Sequence, residues 1–586
     1  MTEKGLKTQY VRADFCVVGG GLAGICAAVA AAREGVKTVL VHDRPVLGGN
    51  ASGEIRMWPC GAQNYAEKET GLFEEIALSS YRYNPDKKYC LWDANLLAFV
   101  RREKNLTLFL NCAVFDAATE NGVIKSVKGY QTTTQSFVEV QADYFADCSG
   151  DSVLAPLSGA SFFWGRESKD EYGENMMKTH EKADLMTMGT SCLIQARDVG
   201  RKVKFIAPPW AEKTTVEKLK SRGFDIHNPS ENYWYIEIGG TENVIDNAEK
   251  HAERLISICL GVWDAIKNSG EFNADNFDID FIGFLPAKRE SRRMEGDYVM
   301  TAVDIENRVK FADEVAYGGW PLDDHNPLGW DGERANYTVK TNTYGIPYRC
   351  LYSKNVSNLF FAGRNISMTH LAMSSARVMG TCSALGQAVG VAASLAVKYS
   401  LSPREVGKEK IDELQQILLR NDCYLPDIKR RVMPSCAAAC PISALTDGAD
   451  RNLSENDEAT TLAGGESISL DFAEPTAGKY LKIVFDSDIL RECFKDMHTT
   501  ERNLLTRCNT LSSSPTMRVP DSLARDFDVA IEYTDGKRET YREKDNLRRN
   551  VLIPLSAPVK KATLSIFSNW GGSEKTRLFA FDLTAV

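Results

Sequence analysis

No stretch of this 586-residue sequence runs to the roughly 18 uninterrupted apolar residues of a membrane span. The best candidate, "ALGQAVGVAASLAV", is too short and contains Gln387. Positive charge is in deficit: the formal net charge of −9 argues against a nucleic-acid partner, whose phosphates need a basic surface. Residues 1–10, "MTEKGLKTQY", carry no apolar signal-peptide core, so a cytoplasmic location is the expectation. The 15 cysteines are odd in number and follow no repeating spacing, which excludes a disulfide framework. Cys436-x-x-x-Cys440 has no second pair and no nearby histidine, so no metal site is expected.

What the sequence does have begins almost at once. "DFCVVGGGLAGICAAVAAAREGVKTVLV" reads as a buried strand, a tight turn, an alanine-rich helix, a stop at Gly35 and a second strand. The turn carries Gly19-x-Gly21-x-x-Gly24 with Leu22 and Ala23 inside it. The first glycine permits the turn, the second admits a pyrophosphate, and the third lets the helix pack on the strand. Strand, turn, helix and strand at this spacing point to a dinucleotide site. No second such motif follows a strand, so a separate NAD(P)H domain is not expected. The second strand ends "VLVHDRPVLGGN": His42 stands where a ribose-binding carboxylate belongs, and Asp43 comes one residue late. Strand side chains alternate faces, so Asp43 does not simply replace residue 42. His42 is the expected ribose ligand, with backbone help from Asp43 or Arg44.

Four further segments carry a resemblance: "LGGNASGEIR", "NCAVFDA", "ADCSGD" and "LFFAGRNISMTHLAMSSARVMGTCSALGQAVG". With the glycine turn they resemble the glutathione-reductase-like FAD-dependent oxidoreductases, in the branch of fumarate reductase and succinate dehydrogenase flavoproteins. The resemblance covers roughly residues 12–165 and 340–400. It implies FAD rather than NAD, placing Gly48, Gly49, Asn50 and Ser52 near the phosphate, ribityl chain or ring. Ala113 and Val114 would touch adenine, and Ser149, Gly150 and Asp151 would return to the cofactor. Gly363, Arg364, Ser375, Met379 and Gly380 belong to the closing segment. The family's covalent flavin attachment uses a histidine that "LGGNASGEIR" lacks, so non-covalent FAD is implied.

The closing segment also reads, without the resemblance, as one small-residue helix whose first N–H groups stabilise charge on a reduced flavin, or simply as a core helix. His370 and Arg377 fall where the family places substrate-facing residues. A histidine there accepts a hydroxyl proton while hydride leaves the adjacent carbon; taken alone, a single histidine reads as structural. "FLPAKRESRRMEGDY" resembles the family's arginine-rich segment near the active site, offering Arg289 and Arg293, though an ion-paired face fits it equally. Trp320, His325, Trp330 and Tyr337 suit stacking on a sugar ring, or a local loop core.

The implied fold is α/β: a Rossmann-like FAD domain of glutathione-reductase type in 1–165 and 341–400, with an α+β substrate domain inserted at 166–340. A helical connector, 401–430, read as one amphipathic helix from a Ser-Pro cap, leads to an all-β sandwich at 431–586. "SALTDGADRN" is similar to the opening of galactose-binding-like domains; covering the core or an oligomer contact is its expected role. The expected enzyme moves a hydride between FAD and a small polar substrate, a sugar or sugar acid, with an external electron acceptor or donor. The alternatives are a fumarate-reductase-like reductase of an unsaturated acid and a non-catalytic carbohydrate-binding protein on a flavoprotein scaffold.

Overall fold

The computed structural model describes residues 5–63, 68–175, 181–227, 236–333, 336–452, 460–489, 516–572 and 575–586. The side chain of Tyr337 and most of the strand expected at "NYWYIEIGG" lie outside the described residues; Glu237–Ile238 is its described part.

Five parallel strands form the central sheet, in spatial order Leu359–Phe361, Tyr144–Asp147, Phe15–Val18, Thr38–Val41 and Leu106–Phe109. Phe15–Val18 and Thr38–Val41 are buried along their whole length, as strands covered on both faces must be. The crossover between them is the helix Leu22–Arg33. Behind it lies the long helix Met379–Tyr399. A Cβ on Gly386 would sit 2.0 Å from the Ala23 carbonyl oxygen, and one on Gly390 would sit 2.3 Å from that of Ala27. Small residues therefore bring these two helices together backbone to backbone. Met379–Tyr399 is long and apolar enough in composition to cross a membrane, but here it is a buried core helix. A three-stranded meander, Cys112–Glu120, Val123–Gln131 and Ser136–Gln141, connects the strands at 106–109 and 144–147, and Thr8–Arg12 adds to its edge.

The 194–282 region builds its own small core. The helix Ala248–Asn268 lays Leu255, Ile258, Val262 and Trp263 against the pair Ile194–Asp198 and Phe277–Ile282. Trp330, expected as a sugar platform, is part of that core, 1% exposed with Lys218 and Arg222 over its ring. Leu322–His325 pairs with Asn336–Val339, and Glu314–Gly318 with Tyr344–Pro347.

The connector differs from expectation. It is two helices, Pro403–Glu409 and Ile411–Arg420, broken at Lys410, whose φ of −129° is not helical. The Ser402 cap is as read: its side chain and that of Glu405 form a reciprocal capping box. Beyond it lie two antiparallel four-stranded sheets, in order 460–463, 575–584, 480–485, 550–554 and in order 467–476, 559–569, 524–533, 538–543. Phe485 of one meets Phe527 of the other at 5.0 Å. Buried ions fasten these sheets to the rest: Arg430 bridges Asp450 and Asp582, and Arg549 pairs with Asp422. Arg420 of the connector pairs with Glu34 of the FAD domain. Arg451, in the "SALTDGADRN" opening, donates to the Lys68 carbonyl and stacks on Tyr424.

Candidate active site

The glycine turn is built as its spacing requires. Gly19 has φ +108°, and a Cβ there would lie 2.4 Å from the Cys148 carbonyl oxygen. A Cβ on Gly24 would lie 1.8 Å from the Gly19 oxygen, so Gly24 serves packing and does not reach the cavity. A Cβ on Gly21 would meet only the Gly49 Cα, at 3.9 Å. It caps Leu22–Arg33 without a side-chain bond, leaving the first N–H groups of that helix free. The Gly48–Gly49 loop lies directly on this turn: the Gly48 N–H donates to Gly20 at 2.8 Å, and both loop glycines have positive φ.

These backbones open onto a cavity of about 530 Å³. Gly19, Gly21, Leu22 and Ala23 line it with Gly48, Gly49 and Asn50. His42, Asp43 and Arg44 join Ala113 and Val114 at one end. Ser149, Gly150, Asp151, Gly363 and Arg364 also line it, as do Arg377, Met379 and Lys288, the last with its carbonyl accepting from Asn50 at 3.1 Å.

The strand tip reverses one expectation. His42 is 3% exposed and both ring nitrogens are spent: Nδ1 accepts the Gly20 N–H at 3.0 Å, and Nε2 lies 3.0 Å from the Val46 carbonyl. It ties the strand to the glycine turn and has no donor left for a ribose. The Asp43 side chain, 62% exposed at the cavity edge, is the accessible group, its Oδ1 3.1 Å from His42 Nδ1. Despite burial pushing the other way, the neighbouring His42 ring and Arg44 guanidinium hold its pKa below the ordinary value.

Asp151 is saturated. Lys288 Nζ reaches one oxygen at 2.7 Å, and Arg364 (2.6 Å) and Ser291 (2.7 Å) reach the other. Against the upward push of burial, Arg364 and Lys288 keep this carboxyl far below the carboxylate range.

His370 does not line the cavity. It is 1% exposed and off the cavity wall, its Nδ1 2.8 Å from Glu290 and its Nε2 2.9 Å from Asp324. Burial works to lower its pKa, but the two carboxylates push it up to about 10. A doubly hydrogen-bonded imidazolium has no lone pair with which to take a proton. Arg293 is likewise structural: it is 1% exposed, pairs with Glu167 and Glu290, and donates to the carbonyls of Met368 and Gly165. Arg289 is buried against Ser191 and Glu237. The arginine-rich segment sends different residues, Lys288 and Arg292, to the cavity. Of the four side chains expected in catalysis, Arg377 alone lines it.

The closing segment is also two helices. His370–Ala376 ends at Arg377, and Met379–Tyr399 starts anew after Val378, whose ψ is 146°. Ser375 therefore sits inside the first helix, bonded to Tyr344 and the Trp320 carbonyl, away from the cavity. The Gly380 N–H is taken by Cys60 at 2.7 Å. Ser52 is buried beneath its loop and off the wall. Met379 meets the cavity as expected. The sequence reading missed Ile55, in the 47–56 segment, and Thr190 and the apolar run Phe284–Pro286, which line the cavity from the inserted region and carry no motif. Among the described residues, no group of three or more His, Cys, Asp or Glu is placed to hold a metal.

The residues present fit FAD. Side-chain-free backbone at Gly21 and Gly363 leaves room for a diphosphate, the uncapped helix offers N–H donors, and Arg44 and Arg364 stand beside them. The volume suits an elongated ligand. Among solved structures, p-nitrophenol 4-monooxygenase from Pseudomonas putida is 10% identical over 70% of this chain and 86% of its own, with TM-score 0.31. The E. coli quinol fumarate reductase FrdA is 11% identical over 70% and 75%, TM-score 0.27. Mycobacterium smegmatis Sdh1 is 12% identical over 70% and 77%, TM-score 0.28. No curated protein matches the sequence. The profile of the family described as FAD dependent oxidoreductase matches residues 14–418. That span is well over half of the chain, so the protein belongs to the FAD dependent oxidoreductase family, an oxidoreductase enzyme whose cofactor is FAD.

Proposed function

We propose that this enzyme exchanges a hydride between non-covalently held FAD and a small polar substrate, a sugar or sugar acid, and passes the electrons to an external acceptor. The observation that carries this reading is one continuous cavity running from the glycine turn to Arg377. Bound FAD supplies the two-electron acceptor. Oxidation of a hydroxyl-bearing carbon releases a hydride from carbon and a proton from oxygen, and the proton passes to water at the cavity mouth. The protein's own groups bind and orient. Gly19–Gly21 and the free helix N–H groups hold a diphosphate, Asp43 a ribose, and Arg377 an oxygen of the substrate. Phe284, Leu285 and Pro286 close the wall and limit water.

With Trp330 and His325 both buried in packing and ion pairs, the acid is favoured over a neutral sugar. The fumarate-reductase-like alternative has lost two of its three cationic clamps, because Arg289 and Arg293 are already paired. The test is an anaerobic screen of uronic and other sugar acids, neutral sugars and unsaturated acids, following flavin absorbance. The reading predicts bleaching by a sugar acid. Bleaching by none of the hydroxylated substrates, with reduced flavin reoxidised by an unsaturated acid, would replace it with the reductase.

A further inference from the structure

A second cavity, of about 520 Å³, lies where the sandwich meets the FAD domain, and it shares no wall residue with the cavity described above. The FAD domain supplies the ends of the helices Leu22–Arg33 and Tyr89–Arg101 and the start of Leu72–Tyr83. The connector supplies residues 420–422, and the sandwich Tyr480 and residues between 543 and 552.

Helix ends bring charge here. Arg33 in the last turn of one helix and Glu75 in the first turn of another stand where the helix dipoles favour them. Arg33 donates to Glu75 at 2.7 Å and to Glu103 at 3.0 Å, and Arg102 pairs with the same two carboxylates. Against the upward push of burial, Arg33 and Arg102 hold the Glu75 carboxyl down to about 2. Arg548 pairs with Glu543 at 2.7 Å, Arg549 with Asp422 at 3.1 Å, and Arg420 with Glu34. Every charged side chain of the wall is thus matched within the wall. A charged ligand would have to break one of these pairs or meet its own sign.

The pairing leaves hydrogen-bonding capacity of both kinds. Arg420 is 1% exposed and stacks on Tyr480; its Nη2 serves Glu34 and its Nε donates to Asn421 Oδ1 at 3.3 Å. Its Nη1 is buried without an acceptor. Arg549, by contrast, is spent on Asp422 and the carbonyls of Phe485 and Asp450. On the acceptor side, Glu103 meets both of its arginines with Oε1, and Glu34 takes Arg420 and Asn421 on Oε1. Glu543 takes Tyr541 and Arg548 on Oε2. The second oxygen of each accepts no hydrogen bond among the described residues. A hydroxyl both donates and accepts, so a molecule rich in hydroxyls answers such a mixture, whereas a simple anion or cation answers half of it.

We propose that this interdomain cavity is a binding site for a neutral polyhydroxylated molecule, a saccharide or polyol, held by Arg420 Nη1 and the open oxygens of Glu34, Glu103 and Glu543. The site is distinct from the one beside the flavin and does not depend on the reaction there.

The test titrates FAD-loaded, full-length protein calorimetrically with glucose, sucrose and myo-inositol. Glucuronate and glucosamine, which keep the glucose ring and add one charge of either sign, are titrated alongside, and flavin absorbance is recorded in the same samples. At least one neutral compound is expected to bind without bleaching the flavin, and at least about tenfold more tightly than either charged one, the value of one charged contact. Arg420→Lys keeps the charge beside Glu34 but removes the open Nη1, and is expected to weaken that binding about tenfold. Leu552→Trp fills cavity volume without touching an ion pair and is expected to weaken it at least as much; it decides the matter where Arg420→Lys does not fold. Heat from none of the neutral compounds overturns the proposal, and so does binding that either folded variant leaves unchanged, which places the compound elsewhere. Tighter binding of glucuronate or glucosamine, lost in Leu552→Trp, overturns it in favour of an ionic ligand. Tighter binding of glycine, which carries both charges and no hydroxyl, does the same for a zwitterion.

Discussion

The glycine turn and the block around His370 treat polar groups in opposite ways. At the turn, the helix Leu22–Arg33 has no side-chain cap, and the Asp43 carboxylate stands at the cavity edge. His370, Glu290, Asp324, Arg293 and Glu167 instead form a buried block in which every charge has a partner. Charge density alone therefore does not mark a site. A buried ion that is fully paired is holding elements together, and a polar group left open faces a ligand. The same contrast separates Arg377 from its neighbours Arg289 and Arg293, three arginines of like appearance in sequence.

That contrast can be broken most severely at the turn. Gly24→Val places a side chain where even a Cβ would lie 1.8 Å from the Gly19 oxygen. It is expected to abolish FAD binding and most soluble protein, measured by flavin content per chain; normal yellow protein would contradict the packing role.

The paired block should respond through stability. His370→Ala removes the cation held between Glu290 and Asp324, leaving Glu290 to Arg293, and should cost about 3–5 kcal/mol, read by denaturant unfolding. The pH dependence has a definite sign. The folded pKa of His370 is raised to about 10 from an ordinary 6.5. Its contribution is thus fully present below about pH 6.5 and is lost as pH rises toward 10. Melting temperature should fall across that window in the wild type and fall less in His370→Gln. An equal fall in both would place the titration elsewhere.

The smallest effect belongs to the open carboxylate. Asp43→Asn should weaken FAD by about tenfold, the loss of one hydrogen bond to a charged group, with unfolding unchanged. His42→Ala, by contrast, should lower stability by freeing the Gly20 N–H. If His42→Ala alone affected FAD affinity, the ribose assignment would return to the histidine.

Much of the architecture was legible because its causes are local. Gly19, Gly21 and Gly24 are demanded by backbone approach, so they show in spacing. Gly386 and Gly390, demanded by helix contact, fall within the small-residue helix without being singled out there. Arg377 and Met379 line the cavity, but it was the resemblance, not spacing, that pointed to them. What was not legible depends on partners distant in sequence. His370 reads as a base until Glu290, 80 residues away, and Asp324, 46 away, are brought to its two nitrogens. His42 reads as a ribose ligand until Gly20 folds back onto it. The helix break at Arg377–Val378 has no proline or glycine to announce it, and it moved Ser375 off the cavity. Thr190 and Phe284–Pro286 arrive from the inserted region without any motif.

The most direct measurement is the protonation state of His370 in the FAD-loaded enzyme, by nitrogen-15 NMR of the seven histidines, with His370→Gln identifying the resonance. A histidine clamped between Glu290 and Asp324 will carry protons on both nitrogens at pH 8 and give one of them up only near pH 10. A neutral ring at pH 8, titrating near the ordinary 6.5, would contradict the account and restore His370 as a catalytic base.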